Sequence, residues 1–464
     1  MSNAIIDFLH NVAKVLPEVK NPVKPPSTQE RLMWTGIALL IFFLMYHVSA
    51  FGIVDQSSGF NFLQTITASR IGSLITIGIG PIVLASIFLQ LFVGAGLIKL
   101  DLQNPADKQK FQEVQKILGI LLAFLESTLF VIGANQTGLL LTPVLGSLTV
   151  PLVILQISLG SIILLYLDEI VSKYGLGSGI SLFIAAGVSL AIIAGVVGLI
   201  FGPSGVINTV QDGGAQAIPN TLIILLPLLF TVLVFFAAVY AEGMKVEIPV
   251  AFERARGIVP KLPLKFLYVS NIPVIFAQAF IQSVVLMSSI ALAGNTGLNW
   301  LASFGPNNSI DDGILYFITP VRVPLAQLLV VSTPVFNIPE IVHAVVYVLF
   351  LSISSILFGM FWVETSNMDA KSVAGQLTKS GMQIPGFRRD PRLLETILNK
   401  HILPLTIVGS FSVGFLAGTA DLLGALGTGT GILLTVGILY KMYEQMEQMN
   451  MFDLYPILGK IAGD

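Results

Sequence analysis

The sequence predicts an all-α membrane protein whose ten transmembrane helices form two inverted five-helix repeats. Three observations carry that prediction: a composition too apolar for a soluble domain, ten apolar runs near spanning length, and likeness between runs five helices apart. Of 464 residues only 11% are charged and 54% are hydrophobic, and mean hydropathy is +0.86, where soluble domains carry about a quarter charged residues. The windows 32–46, 221–239 and 341–363 approach or exceed the roughly 20 apolar residues that cross a bilayer. Net charge of −2 says nothing about partners. With no cysteine, disulfides, thiolate metal sites and cysteine nucleophiles are excluded, while the compartment stays open.

Residues 1–30 contain Asp7, Lys14, Glu18 and Lys20, so they lack the continuous apolar core of a secretory signal. Ile5, Phe8, Leu9, Val12, Val15 and Leu16 follow helical spacing, which predicts an amphipathic helix at the membrane surface. The ten spans lie at 32–51, 72–98, 115–134, 146–167, 179–201, 221–241, 266–292, 339–363, 401–420 and 430–447. With the N-terminus cytoplasmic, every Lys and Arg except Arg70 and Arg322 falls on the cytoplasmic side, which by the positive-inside rule puts both termini there. The expected organisation is a cytoplasmic N-terminal segment (1–30), a first half (31–201), an external linker (202–220), a second half (221–447) with large cytoplasmic loops at 242–265 and 364–400, and a cytoplasmic tail (448–464).

The repeat comes from sliding the chain on itself. "PIVLASIFLQLFV" (81–93) aligns with "PVIFAQAFIQSVV" (273–285) at five identities in thirteen: Pro81/Pro273, Ala85/Ala277, Phe88/Phe280, Gln90/Gln282 and Val93/Val285. "GLGSGI" (175–180) aligns with "GTGTGI" (427–432), each opening a span. Because five is odd, the two copies run oppositely through the membrane, as in proteins that let something cross. The second span opens on Gly78, Gly80 and Pro81, and a backbone broken at membrane depth requires protein or a water-filled cavity to satisfy it.

Ion-coupled transporters place ionisable groups at the midplane. Here the spans offer Glu126 and His47, with Asp168, Glu169, Glu242 and Asp421 at span ends, so a secondary transporter with inverted repeats is the rival reading, testable by Glu126→Gln. The residues beside each break are aliphatic instead: Ile79 and Val83, Ile180 and Ile184, Ile275, and Leu434. Such side chains close a pore by bulk and dewetting.

Other motifs carry little. "GPSG" (202–205) matches a short intramembrane-protease pattern with Ser204 as nucleophile and His47 as base, but Ser204 lies just beyond a span. The Gly-rich stretches 175–179 and 427–431 lack the Lys-Ser/Thr of a phosphate loop, and His10, His47, His343 and His401 are scattered. No enzyme activity, metal or cofactor is implied, and energy for transport has to come from a partner or from the chain's own thermal motion.

The chain resembles the SecY family of protein-conducting channel subunits, in its archaeal and eukaryotic branch, over essentially its whole length. The stretches that carry the resemblance are "GIGPIVLASIFLQL" (78–91), "DEIVSKYGLGSGISLFIAAG" (168–187), "AEGMKVEIPVAFERARG" (241–257), "LPLKFLYVSNIPVIFAQA" (262–279), "GMQIPGFRRD" (381–390) and "ADLLGALGTGTGILL" (420–434). The resemblance implies an hourglass pore narrowed by six aliphatic side chains, which fall on Ile79, Val83, Ile180, Ile184, Ile275 and Leu434. It implies a plug at about 55–70, including Phe60, Asn61, Phe62, Leu63, Thr65 and Ile66. It implies a lateral gate between spans 2/3 and 7/8, where Gln90, Glu126 and Asn271 are the polar candidates and Leu84 replaces a frequent hydroxyl. Ribosome docking through ribosomal RNA falls on Arg254, Arg256, Arg388 and Arg389 in the two basic loops. Implied partners are a SecE-like small subunit, a Sec-beta subunit, the ribosome, unfolded secretory polypeptides with their signal sequences, and membrane lipid; the implied location is the cell membrane.

Overall fold

The computed structural model describes residues 11–12, 16–53, 68–94, 97–98, 100, 104–136, 146–202, 205–211, 217–249, 251–252, 261–292, 300, 302–304, 310–321, 338–379, 382–383 and 391–454. Each of the ten predicted spans contains a helix. These are α1 (Thr28–His47), α2 (Gly80–Gly94), α3 (Pro105–Gln136), α4 (Thr149–Tyr174), α5 (Gly179–Phe201), α6 (Ala217–Gly243), α7 (Ile272–Leu292), α8 (Ile338–Thr365), α9 (Pro391–Leu423) and α10 (Gly429–Leu454). Among the described residues six stretches are long and apolar enough to cross a bilayer, within 106–134, 149–174, 179–211, 217–243, 340–378 and 392–423. Shorter apolar helices cover 80–90 and 272–281.

Boundaries reflect local chemistry. Ser27 opens α1 with a capping box: its Oγ accepts from Glu30 N at 3.3 Å, and its own N–H donates to Glu30 Oε2 at 2.8 Å. Helix α3 has 32 residues, about 48 Å at 1.5 Å per residue, so its charged first turns extend past a hydrocarbon core of about 30 Å. The predicted second and seventh spans start at 72 and 266, but their helices start only at Gly80 and Ile272. The residues ahead of each helix form turns, because Gly78 and Ser270 take the left-handed conformation that interrupts α-helical hydrogen bonding.

The sequence predicted no strands, yet the loops carry short ones. Strands β1 (Lys245–Pro249) and β3 (Lys261–Lys265) pair antiparallel, Lys245 opposite Lys265. Strand β2 (Ala251–Phe252) pairs with β6 (Met382–Gln383), joining the loop at 242–265 to the loop at 364–400. Strands β4 (Ser303–Phe304) and β5 (Ile310–Asp312) form a third small pair.

The chain divides into two compact units, residues 1–190 with 438–464, and residues 191–437. One core of the first unit gathers Val131, Ala134, Val153 and Ile157 with Ala50 and Ile53. In the same unit Phe42 stacks on Phe183 at 5.2 Å. The second unit centres on Val274, Ala277, Ile281, Tyr347, Leu351, Val413, Ala417 and Ile432.

Candidate functional site

In the first unit the chain enters α2 through a chain of turns. Leu74 N donates to Val48 O, Gly78 N to Ile75 O, Gly80 N to Ile77 O, and Val83 N to Ile79 O, at 3.0 to 3.3 Å. Helix α4 satisfies the break from the side. Ser161 Oγ donates to Gly78 O at 2.7 Å, and the adjacent Gly160 has no room for a side chain, since a Cβ there would lie 2.0 Å from Leu74 O. This is the condition under which backbone may leave the helix inside a membrane. The predicted ring residues Ile79 and Val83 sit at this break, Ile79 only 1% exposed and Val83 half-buried.

The second unit repeats the arrangement 192 positions later. Gly78 has φ +56° and Ser270 φ +55°. Ser270 N donates to Leu267 O at 2.9 Å and Ile275 N to Asn271 O at 3.2 Å, the counterparts of the Gly78 and Val83 bonds. Gly409 on α9 packs against Phe266 O as Gly160 does against Leu74 O; its Cβ would lie 2.7 Å away. A Gly-Ser pair occurs in both helices, Gly160-Ser161 and Gly409-Ser410.

The turns opening α5 and α10 correspond too. Leu176 N donates to Thr35 Oγ1 of α1 at 3.0 Å, and Leu426 N to Thr231 Oγ1 of α6 at 2.8 Å. Each threonine also donates to the carbonyl four residues back, Thr35 to Arg31 at 2.8 Å and Thr231 to Pro227 at 2.7 Å. Gly177 and Gly427 then take φ +72° and +77°. A half-buried carboxylate receives the first turn of each helix: Asp168 Oδ1 from Ile180 N at 2.8 Å, Asp421 Oδ1 from Gly429 N at 2.6 Å. These contacts correct the register that sequence similarity suggested. Leu176–Gly179 corresponds to Leu426–Gly429, two residues off the alignment of 175–180 with 427–432, because Gly-x-Gly strings match themselves at a two-residue shift and hydrogen bonds do not. Ile184 and Leu434 are thereby equivalent, and Ile180 corresponds to Thr430.

A family model described as SecY matches residues 73–443. The chain is 46% identical to a protein translocase subunit SecY of Methanocaldococcus jannaschii, over 97% of this chain and 98% of that protein. The chain belongs to the SecY family. A SecY of Pyrococcus furiosus is 39% identical, over 98% and 99% of the two chains. A solved protein conducting channel superposes with TM-score 0.77 at 42% identity, covering 96% of this chain and 98% of that one. Sec61 in a canine ribosome-channel complex from the endoplasmic reticulum superposes with TM-score 0.75 at 41% identity, covering the same shares. The chain is thus an all-α, multi-pass membrane protein of the SecY family.

Within this SecY-family chain the remaining predicted residues divide into three groups. In the first unit Ile184 is buried and Ile180 half-buried; in the second unit Leu434 is buried and Ile275 half-buried. Of the gate candidates, Gln90 Nε2 donates within its own helix to Ser86 Oγ at 3.2 Å. Asn271 Nδ2 donates to the backbone of α10, Leu433 O at 2.7 Å. Glu126 Oε1 and Asn271 Oδ1 are buried and lack a hydrogen-bond partner among the described residues. The plug candidates Phe60, Asn61, Phe62, Leu63, Thr65 and Ile66, the docking candidates Arg254, Arg256, Arg388 and Arg389, and Ser204 lie outside the described residues, as does most of the predicted N-terminal helix. Among the described residues no group of three or more His, Cys, Asp or Glu is arranged to hold a metal.

Several anchoring residues escaped the sequence reading, Thr35, Thr231, Ser161, Tyr347 and Gln278, and Glu169, which the sequence showed only as a charge at a span end, is a hub. Glu169 accepts from Lys116 Nζ at 2.9 Å, Lys173 Nζ at 3.0 Å and Val19 N at 3.2 Å, while Lys116 Nζ also donates to Pro17 O at 2.7 Å and Lys173 Nζ to Val19 O. The only available signal was the pairing of Thr35 with Thr231 and of Gly160-Ser161 with Gly409-Ser410 under the repeat.

Proposed function

We propose that this chain is the pore-forming subunit of a cell-membrane protein translocase. It moves unfolded secretory polypeptides across the bilayer and releases apolar segments sideways into lipid. The observation that carries this reading is the broken entry into α2, where packed protein satisfies the interrupted backbone and the aliphatic Ile79 comes next, with the same turn repeated ahead of α7. Ile79, Val83, Ile180, Ile184, Ile275 and Leu434 form the constriction. An aliphatic ring has no directional bonds to break, so it reshapes around successive side chains and still repels hydrated ions. Segments leave sideways by partitioning: Leu or Ile favours the bilayer core by about 0.3–0.6 kcal/mol, while Lys or Asp opposes it by about 2.5–3.5.

On this reading residues 55–70 are the plug, Gln90, Glu126 and Asn271 face the lateral gate, both termini are cytoplasmic, and the halves are residues 31–201 and 221–447. A SecE-like subunit and a Sec-beta subunit complete the complex. The ribosome docks through Arg254, Arg256, Arg388 and Arg389. The pairing of β2 with β6 supports a joint docking surface, because it joins the two basic loops two residues from Arg254. The deciding experiment is gentle purification of the tagged chain from its own membranes, then translocation of an unfolded secretory precursor into vesicles holding the purified complex. Co-purification of a small single-span subunit and precursor protected from protease are expected. A chain that purifies alone and protects nothing overturns the reading.

A further inference from the structure

The corrected register shows where the two halves differ. The first half contributes four aliphatic ring positions, Ile79, Val83, Ile180 and Ile184. Their equivalents in the second half are Asn271, Ile275, Thr430 and Leu434, so two of the four are polar. Both are buried and hydrogen-bonded within their own unit. Asn271 Nδ2 of α7 donates to Leu433 O of α10 at 2.7 Å. Thr430 Oγ1 of α10 accepts from Gln278 Nε2 of α7 at 3.5 Å, the longest bond of the set. Gln278 Nε2 also reaches Tyr347 Oη of α8 at 3.3 Å, and Tyr347 donates to Asp421 Oδ2 of α9 at 2.8 Å. The same carboxylate receives the first turn of α10. Gln278 and Tyr347 are 1% and 0% exposed.

We propose that Gln278, Thr430, Tyr347 and Asp421 form a polar clasp that fixes α7 against α10, and that they are positioning residues for the resting seal. The spacing supports it. Gln278 is three residues beyond Ile275 on α7, and Thr430 is four residues before Leu434 on α10, so on each helix the clasp lies one turn from the ring residue. Apolar packing alone tolerates axial sliding of two helices, whereas hydrogen bonds between buried groups specify one register. Asp421 ties the clasp to the helix it must hold, because α10 begins on that carboxylate. The proposal rests on the channel reading.

The test is the ion conductance of the complete complex in planar bilayers without substrate. Gln278→Leu combined with Thr430→Val removes both partners of the Gln278–Thr430 bond, leaves the bond from Asn271 to Leu433 O in place and keeps the side-chain bulk, so that stability stays close to wild type. Resting conductance should rise about ten-fold, the factor that about 1.4 kcal/mol produces, with the unfolding midpoint nearly unchanged. Tyr347→Phe, which removes one hydroxyl, should raise it in the same direction by a smaller factor. Wild-type conductance in both variants overturns the clasp, and so does a rise that tracks loss of thermal stability across them. Ile275→Gly combined with Leu434→Gly separates the two ideas: if this pair leaves conductance unchanged, the channel reading fails; if it leaks while the clasp variants stay tight, only the clasp fails.

Discussion

Ser161 Oγ donates a 2.7 Å hydrogen bond to Gly78 O, the carbonyl at which the second span leaves helical geometry. Gly160, the preceding residue, supplies the space that brings α4 against Leu74. One helix face therefore gives both the room and the donor that a broken transmembrane backbone needs.

Ser161→Ala should lower stability by about 1–3 kcal/mol, since it leaves a buried carbonyl unpaired. Thermal unfolding of the detergent-solubilised complex measures this. Gly160→Ala should be worse, because its methyl would lie 2.0 Å from Leu74 O, whereas Gly198→Ala meets nothing within 4 Å and should be neutral or slightly stabilising. A full unfolding midpoint for Gly160→Ala would contradict the close approach.

Thr35→Val and Thr231→Val test the matched turns. Each removes the acceptor of one backbone N–H, Leu176 or Leu426, with little change in shape. Each should cost about 1–3 kcal/mol. The two contacts share no partner, so the double variant should be additive within about 0.5 kcal/mol; a large coupling energy would show that the turns are not independent.

Ile79→Gly combined with Ile180→Gly should raise ion leak through the resting complex by at least about ten-fold, which needs a bias of only about 1.4 kcal/mol. The current carried by the assembled channel is the readout. Currents at the wild-type level would remove these residues from the constriction.

Glu169→Ala should loosen residues 17–20, which are held by Val19 N on Glu169, by Lys116 and Lys173 on the carbonyls of Pro17 and Val19, by Lys173 on Glu18 and by Tyr174 Oη on Lys20 O. Without the shared carboxylate the two lysines repel each other. Limited trypsin digestion should then cut after Lys20 about ten-fold faster, in line with the net loss of one charge-assisted bond of about 1.5 kcal/mol. An unchanged cleavage rate would show that the position of residues 17–20 does not depend on Glu169.

Arg388→Glu combined with Arg389→Glu should weaken ribosome binding and flatten its dependence on salt, by about 0.7–0.9 log units per log salt for each lost phosphate contact. Sedimentation across a salt series measures both quantities. An unaltered slope would move the docking surface elsewhere.

Much of the fold was legible in the sequence because a bilayer imposes one-dimensional rules. Apolar length gave the spans, and the five-residue match between 81–93 and 273–285 exposed the repeat. The site was legible only in part. Gly78 and Pro81 marked the break, but nothing local to Ser161 distinguishes it from other small residues on membrane helices, and Glu169 looked like one more charge at a span end.

The sequence by itself determined that this chain crosses the membrane repeatedly, where its helices break and that its two halves share one plan. Tertiary structure decided the register of the second repeat, the helix face that satisfies the first break, and the bonding of Asn271 and Thr430 to α10 and α7. The physical reason is that hydrophobicity is additive along a chain and survives ambiguous alignment, whereas a hydrogen bond between residues 83 or 162 positions apart depends on three-dimensional geometry.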